Sequence, residues 1–170
     1  IGQVFLQRAS VARYSGGLQS LSFKTYAFLL KLGFFPLMVI SFFSPYLFAF
    51  ILGERWIDAG PYARVLGPWI AFGFAYSPMS VLYSILDRQG IALLFEAAYI
   101  LLRVFVFWLG AYVGSPLLSV GLYSITGFFV LVVQMFYLLI TSDASFKLVF
   151  NTTARTITEA FLLLLFPVIV

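Results

Sequence analysis

The run LLFEAAYILLRVF at positions 93–105 carries a carboxylate, a phenol and a guanidinium in otherwise apolar company. Glu96 and Arg103 stand seven residues apart, so a helix brings both to one face with Tyr99 between them. That set suits an anion. An arginine stays protonated, its planar fork matches phosphate oxygens, and a nearby carboxylate can pair with it when no ligand is bound. Gln134 and Thr126, in the next apolar run, can face the same space. A second reading of the same spacing has Glu96 snorkelling to the inner surface while Arg103 makes a structural pair with a neighbouring helix.

The elements that must position these groups are set by composition. Of the 170 residues, 63% are hydrophobic and 9% charged, and the mean hydropathy is +1.07. A soluble domain carries about 25% charged residues, so this chain cannot cover a globule with polar groups. Its outside must be lipid: an integral membrane protein. With no Cys there is neither a disulfide framework nor a thiolate metal site. With no His the commonest general base and metal ligand is missing, and the carboxylates are scattered. No enzyme, cofactor or metal site is expected. The net charge of +4 is spread along the chain without a basic run, which speaks against nucleic acid and for loops facing anionic membrane lipids.

A helix crossing the hydrocarbon core needs about 20 apolar residues. The candidates are 25–52, 61–86, 91–113 and 117–142, the last two separated by the turn signal Gly114-Ser115-Pro116. No run alternates with period two, as a barrel strand does. The fold class expected is all-α: a polytopic membrane helix bundle with about four complete transmembrane helices. A truncated fifth is expected at 160–170, and 1–170 form a single membrane domain. The opening IGQVFLQRAS looks like the tail of an earlier hydrophobic segment, and both ends look cut, as in a fragment of a larger protein.

Residues 25–52 make a helix of about 42 Å at 1.5 Å per residue, against a hydrocarbon core of about 30 Å. Ser44 and Pro45 are expected to break it, leaving 25–44 as the span and 46–52 as a short outer helix. The segment 143–155 (DASFKLVFNTTAR) reads as a short interfacial helix capped by Ser142, Asp143 or Ser145, or as a plain inner loop. Gly110 and Gly114 form a GxxxG, and Gly67, Ala71 and Ala75 recur every four residues, both spacings that let helices approach. Four of the seven prolines fall inside the first two spans, where each removes a backbone hydrogen bond.

Basic residues set the orientation. With the N-terminus cytoplasmic, the inner segments hold Arg8, Arg13, Lys24, Arg88, Lys147 and Arg155, the outer ones only Arg55 and Arg64. Lys31 then snorkels inward. The charged, tryptophan-bearing stretch GERWIDAGPYARVLGPW (53–69) becomes the outer loop, with Trp56, Trp69 and Trp108 forming an aromatic belt.

The run 51–110 resembles the C-terminal half of bacterial oligosaccharide flippases. These are the Wzx-type polysaccharide transporters of the multidrug/oligosaccharidyl-lipid/polysaccharide superfamily. The resemblance rests on Gly53-Glu54-x-Trp56 with Ala59-Gly60, on Leu66-x-Pro68-Trp69, on Ser77-Pro78, and on the inner turn with Arg88-Gln89. It implies two lobes of six helices around a cavity, of which this chain supplies part of the second. The missing N-terminal lobe is then its first partner. It also implies a job: moving an undecaprenyl-diphosphate-linked oligosaccharide across the bacterial inner membrane. Under that reading Arg103, Glu96, Tyr99 and Gln134 line the substrate cavity. A drug exporter of the same superfamily, a membrane-embedded enzyme and a purely structural subunit are the competing classes.

Overall fold

The computed structural model describes residues 2–165, which are 91% helical with no strand. Helix α1 (Gly2–Ser15) precedes α2 (Leu18–Phe42) and α3 (Ser44–Leu52). A 3-10 helix (Glu54–Ala59) leads into α4 (Gly60–Met79), followed by α5 (Leu82–Ile85), α6 (Gln89–Val113), α7 (Pro116–Thr141) and α8 (Phe146–Leu165). Four segments among the described residues are long and apolar enough to cross a membrane: α2, the stretch Glu54–Ile85, α6 and α7. The chain is an all-α membrane helix bundle, as its composition demands.

The spans pack as a row in the order α2, α4, α7, α6. Small residues set the closest approaches. Gly67 lies under Ser41, Gly33 under the ring of Phe74, and Ala71 and Ala75 are fully buried between them. With lipid as solvent, such backbone contact supplies the packing that hydrophobicity alone does not. The GxxxG divides its labour: Gly110 is buried against Ser119, whereas Gly114 is a left-handed helix cap at φ 72°.

Helix ends repeat one solution. At Gly16, Asp87, Gly114 and Asp143 the chain turns left-handed. At each, the next residue's N–H reaches back five places to a helical carbonyl: Gly17 to Ala12, Arg88 to Tyr83, Ser115 to Gly110 and Ala144 to Leu139. This Schellman geometry satisfies the orphan carbonyls of α1, α5, α6 and α7.

The first span breaks at Phe43, one residue before the expected Ser44–Pro45 position. Pro45 has no N–H for the Ser41 carbonyl, so the Ser44 hydroxyl donates there instead, at 2.7 Å. A second Ser44 contact, to the Gly60 carbonyl at 2.7 Å, ties the break to the start of α4. Helix α2 begins seven residues before the expected position 25. The second span is also split: α4 ends at Met79, just after Pro78, and α5 resumes at Leu82.

The opening residues form helix α1, which turns at Gly16 and packs on α2, α4 and α5. Two expectations need correction. The polar stretch 143–155 is helical from Phe146, but not as a short helix of its own: it opens α8, which continues through 160–165 and packs on α2 and α7; residues 166–170 of the expected fifth span lie outside the described residues. Trp69 leaves the belt. It lies nine residues into α4, half-buried, with its indole over Gly127, whose missing side chain makes the room.

Candidate functional site

Helix α6 is the most thinly held span. It rests on α7 and, at its N-terminal end, on α5, while scarcely touching α4. Only Tyr99, Val106 and Gly110 of its residues are buried. Between α4 and α6 the face of α7 therefore forms the floor of an open furrow.

Arg103 lies in that furrow, ten residues before α6 ends at Val113. Its guanidinium carbon stands 3.8 Å from the centre of the Tyr99 ring and 5.2 Å from that of Tyr123. Tyr99 is one turn back along α6, so the side chain folds toward mid-membrane rather than out to headgroups. An arginine at the centre of a span costs about 2.5–3.5 kcal/mol on insertion scales. Contact with desolvated aromatic faces returns about 2 kcal/mol of that. The rest is unanswered: Arg103 makes no ion pair among the described residues, and its buried Nε has no hydrogen-bond acceptor.

The aromatic cradle is built from three helices. Trp69 of α4 meets Tyr123 edge-on at 5.0 Å, and Phe107 of α6 lies 5.6 Å from the same ring. Gly127 is the keystone, since a Cβ there would overlap the Tyr99 hydroxyl and the Trp69 indole. The Tyr99 hydroxyl is itself buried without a partner.

Further along α7 toward its C-terminus, Gln134 is 1% exposed. Its Oε1 accepts from the hydroxyls of Tyr76 and Tyr83, the latter at 3.4 Å, while its Nε2 has no acceptor among the described residues. Tyr83 stacks on Tyr137, which in turn meets Phe95 of α6. From Trp69 to Tyr137 a run of aromatic rings thus follows α7, most of them tyrosines, with Arg103 and Gln134 among them holding donors that find no acceptor among the described residues.

Of the four residues singled out from sequence, Tyr99 and Arg103 come together and Gln134 lies about two turns along α7 from Gly127. Glu96 stands exposed on α6, with no ion pair to Arg103 among the described residues. Thr126 satisfies its hydroxyl on its own helix, at the Leu122 carbonyl, and lines a groove on the other side of α6 with Phe95, Leu102 and Phe129. Sequence reasoning missed Trp69 and Tyr123. Gly127 was the available signal, a small residue in an apolar span opposite large rings. Comparison of the chain with protein-family models, curated proteins and solved structures finds no match in any of the three.

Proposed function

We propose that this chain forms part of a membrane transporter that moves an anionic, glycosylated lipid from one leaflet to the other. The substrate class we assign is an undecaprenyl-diphosphate-linked oligosaccharide, carried outward across the bacterial inner membrane for surface polysaccharide assembly, with the N-terminus of the chain cytoplasmic. One observation carries the reading: a guanidinium held near mid-membrane on aromatic faces, with no carboxylate beside it among the described residues. Intramembrane charges mark substrate pathways as a rule, and this one is left with donors to spare for a phosphate. Tyr76, Tyr99, Tyr123 and Trp69 offer ring faces and hydroxyls suited to sugars. Gln134 adds an unused amide N–H, buried beside Tyr76 and Tyr83. The likeness of 51–110 to oligosaccharide flippases points the same way.

The test is Arg103→Gln in the complete protein, in cells whose surface polysaccharide depends on it. Surface polysaccharide is lost while membrane abundance stays near normal, and Arg103→Lys restores it only partly, because an ammonium lacks the planar fork. Normal polysaccharide with Arg103→Gln overturns the reading. A loss of the protein itself in both variants also overturns it, assigning Arg103 a structural role.

A further inference from the structure

The first 53 residues carry four cations, Arg8, Arg13, Lys24 and Lys31, and no carboxylate side chain; the first acid of the chain is Glu54. Arg13 is answered from elsewhere in the bundle, by Asp87 at 2.7 Å. Arg8 and Lys24 are exposed and make no ion pair among the described residues. The left-handed turn at Gly16 folds α1 back on α2. Arg8 stands eight residues before Gly16 and Lys24 eight after it, so the two charges come level across the hairpin.

At that level a groove of about 300 Å³ runs between the helices, lined by Val4, Phe5 and Arg8 of α1 and by Leu21 and Thr25 of α2. Lys24 belongs to the same face of α2, since Leu21, Lys24, Thr25 and Phe28 fall at helical spacing. Val4, Phe5 and Leu21 make the walls apolar, and Phe28 stands exposed one turn further on. The polar side chains here are all donors: a guanidinium, an ammonium and a hydroxyl. Thr126, Thr141, Thr153 and Thr156 donate to carbonyls of their own helices. Thr25 makes no side-chain hydrogen bond among the described residues, so its proton is free for an acceptor in the groove.

Two unanswered cations and a free hydroxyl beside an apolar channel fit an amphiphile with an anionic head. Basic hollows between membrane helices hold anionic lipid headgroups, and the planar fork of an arginine matches two phosphate oxygens at once. Lys24 lies in the second turn of its span, near the membrane surface, where a phosphodiester resides. We infer that the α1–α2 groove binds an anionic phospholipid. Arg8, Lys24 and the Thr25 hydroxyl hold its phosphodiester, and the start of an acyl chain lies along Val4, Phe5 and Leu21. The groove is separate from the furrow, and its lipid is bound whatever the furrow carries.

The complete protein, stripped of lipid in detergent, is offered equal amounts of phosphatidylglycerol and phosphatidylcholine with the same acyl chains. Bound lipid is counted by native mass spectrometry, and phosphatidylglycerol is bound in preference. Arg8→Gln and Lys24→Gln each cut that preference about fivefold, and the double variant about twenty-fivefold. Arg88→Gln removes an exposed cation outside the groove and leaves the preference unchanged. Val4→Trp fills the groove from an exposed position and weakens phosphatidylglycerol binding with every charge in place. Inorganic phosphate at millimolar concentration displaces none of the lipid, which separates a phospholipid site from one for a free anion. All four substituted positions are exposed, so the fold survives each change. The proposal is overturned by the absence of a preference, by a loss with Arg88→Gln as large as with Arg8→Gln, by full binding to Val4→Trp, or by displacement with phosphate.

Discussion

Tyr26 on α2 donates its hydroxyl proton to Thr153 on α8 across 2.5 Å, both residues being buried. The direction follows from Thr153, whose own proton goes to the Val149 carbonyl at 2.8 Å. The two substitutions that remove this bond are therefore unequal. Tyr26→Phe leaves Thr153 with its backbone acceptor and costs below about 1 kcal/mol, as interhelical bonds in membranes do. Thr153→Val strands a buried phenol and costs about 1–3 kcal/mol. Denaturation of the detergent-solubilised protein distinguishes them by the order of the two midpoints.

Glycines of opposite consequence sit on neighbouring helices. A Cβ at Gly60 would meet the backbone of Pro45, which has no rotamer with which to yield. Gly60→Ala destabilises by about 1–3 kcal/mol. Gly121 on α7 has nothing within 4 Å of a Cβ, so Gly121→Ala stabilises by about 0.5–1 kcal/mol through helix propensity. The same unfolding measurement reads both, with shifts of opposite sign.

The cradle under Arg103 depends on ring faces rather than on the phenol group. Tyr99→Phe keeps the face and removes a buried hydroxyl that has no partner, so thermal stability holds or rises slightly. Tyr99→Leu takes the face away and costs about 1–2 kcal/mol. Equal losses in the two variants would show that the ring face is not what holds the guanidinium.

Much of this arrangement is legible in sequence, and the exceptions share a cause. The ends of α6 and α7 are written in Gly114, Ser115 and Pro116, and the break before α3 in Pro45, because proline and glycine act on their own backbone. Tyr99 and Arg103 are four apart on one helix, so their contact is local too. The full length of α8 was hidden because the polar stretch 143–155 read as a short interfacial helix or a loop, apart from the apolar run after it. Yet Thr153 and Thr156 satisfy their hydroxyls on the Val149 and Thr152 carbonyls of the same helix, which lets a polar stretch remain helical inside a bundle. Trp69 and Tyr123 join the site only through the pairing of α4 with α7, which no spacing within either helix records.

Orientation is open to a direct measurement. Asp58 in the 3-10 helix and Gln89 at the start of α6 are both exposed. Single cysteines placed at each, probed with an impermeant thiol reagent in intact cells, are expected to label at 58 and not at 89. The reverse pattern would invert the bundle in the membrane and move the basic residues outside.

On the same side as Gln89, Arg13 binds the Ile85 carbonyl and the Asp87 carboxylate, the latter at 2.7 Å. Those partners leave the ribosome 72 and 74 residues after Arg13 does. During synthesis this clasp can therefore close only once the second span has turned back and Asp87 has emerged. The clasp thus joins two segments that only a completed membrane hairpin brings together.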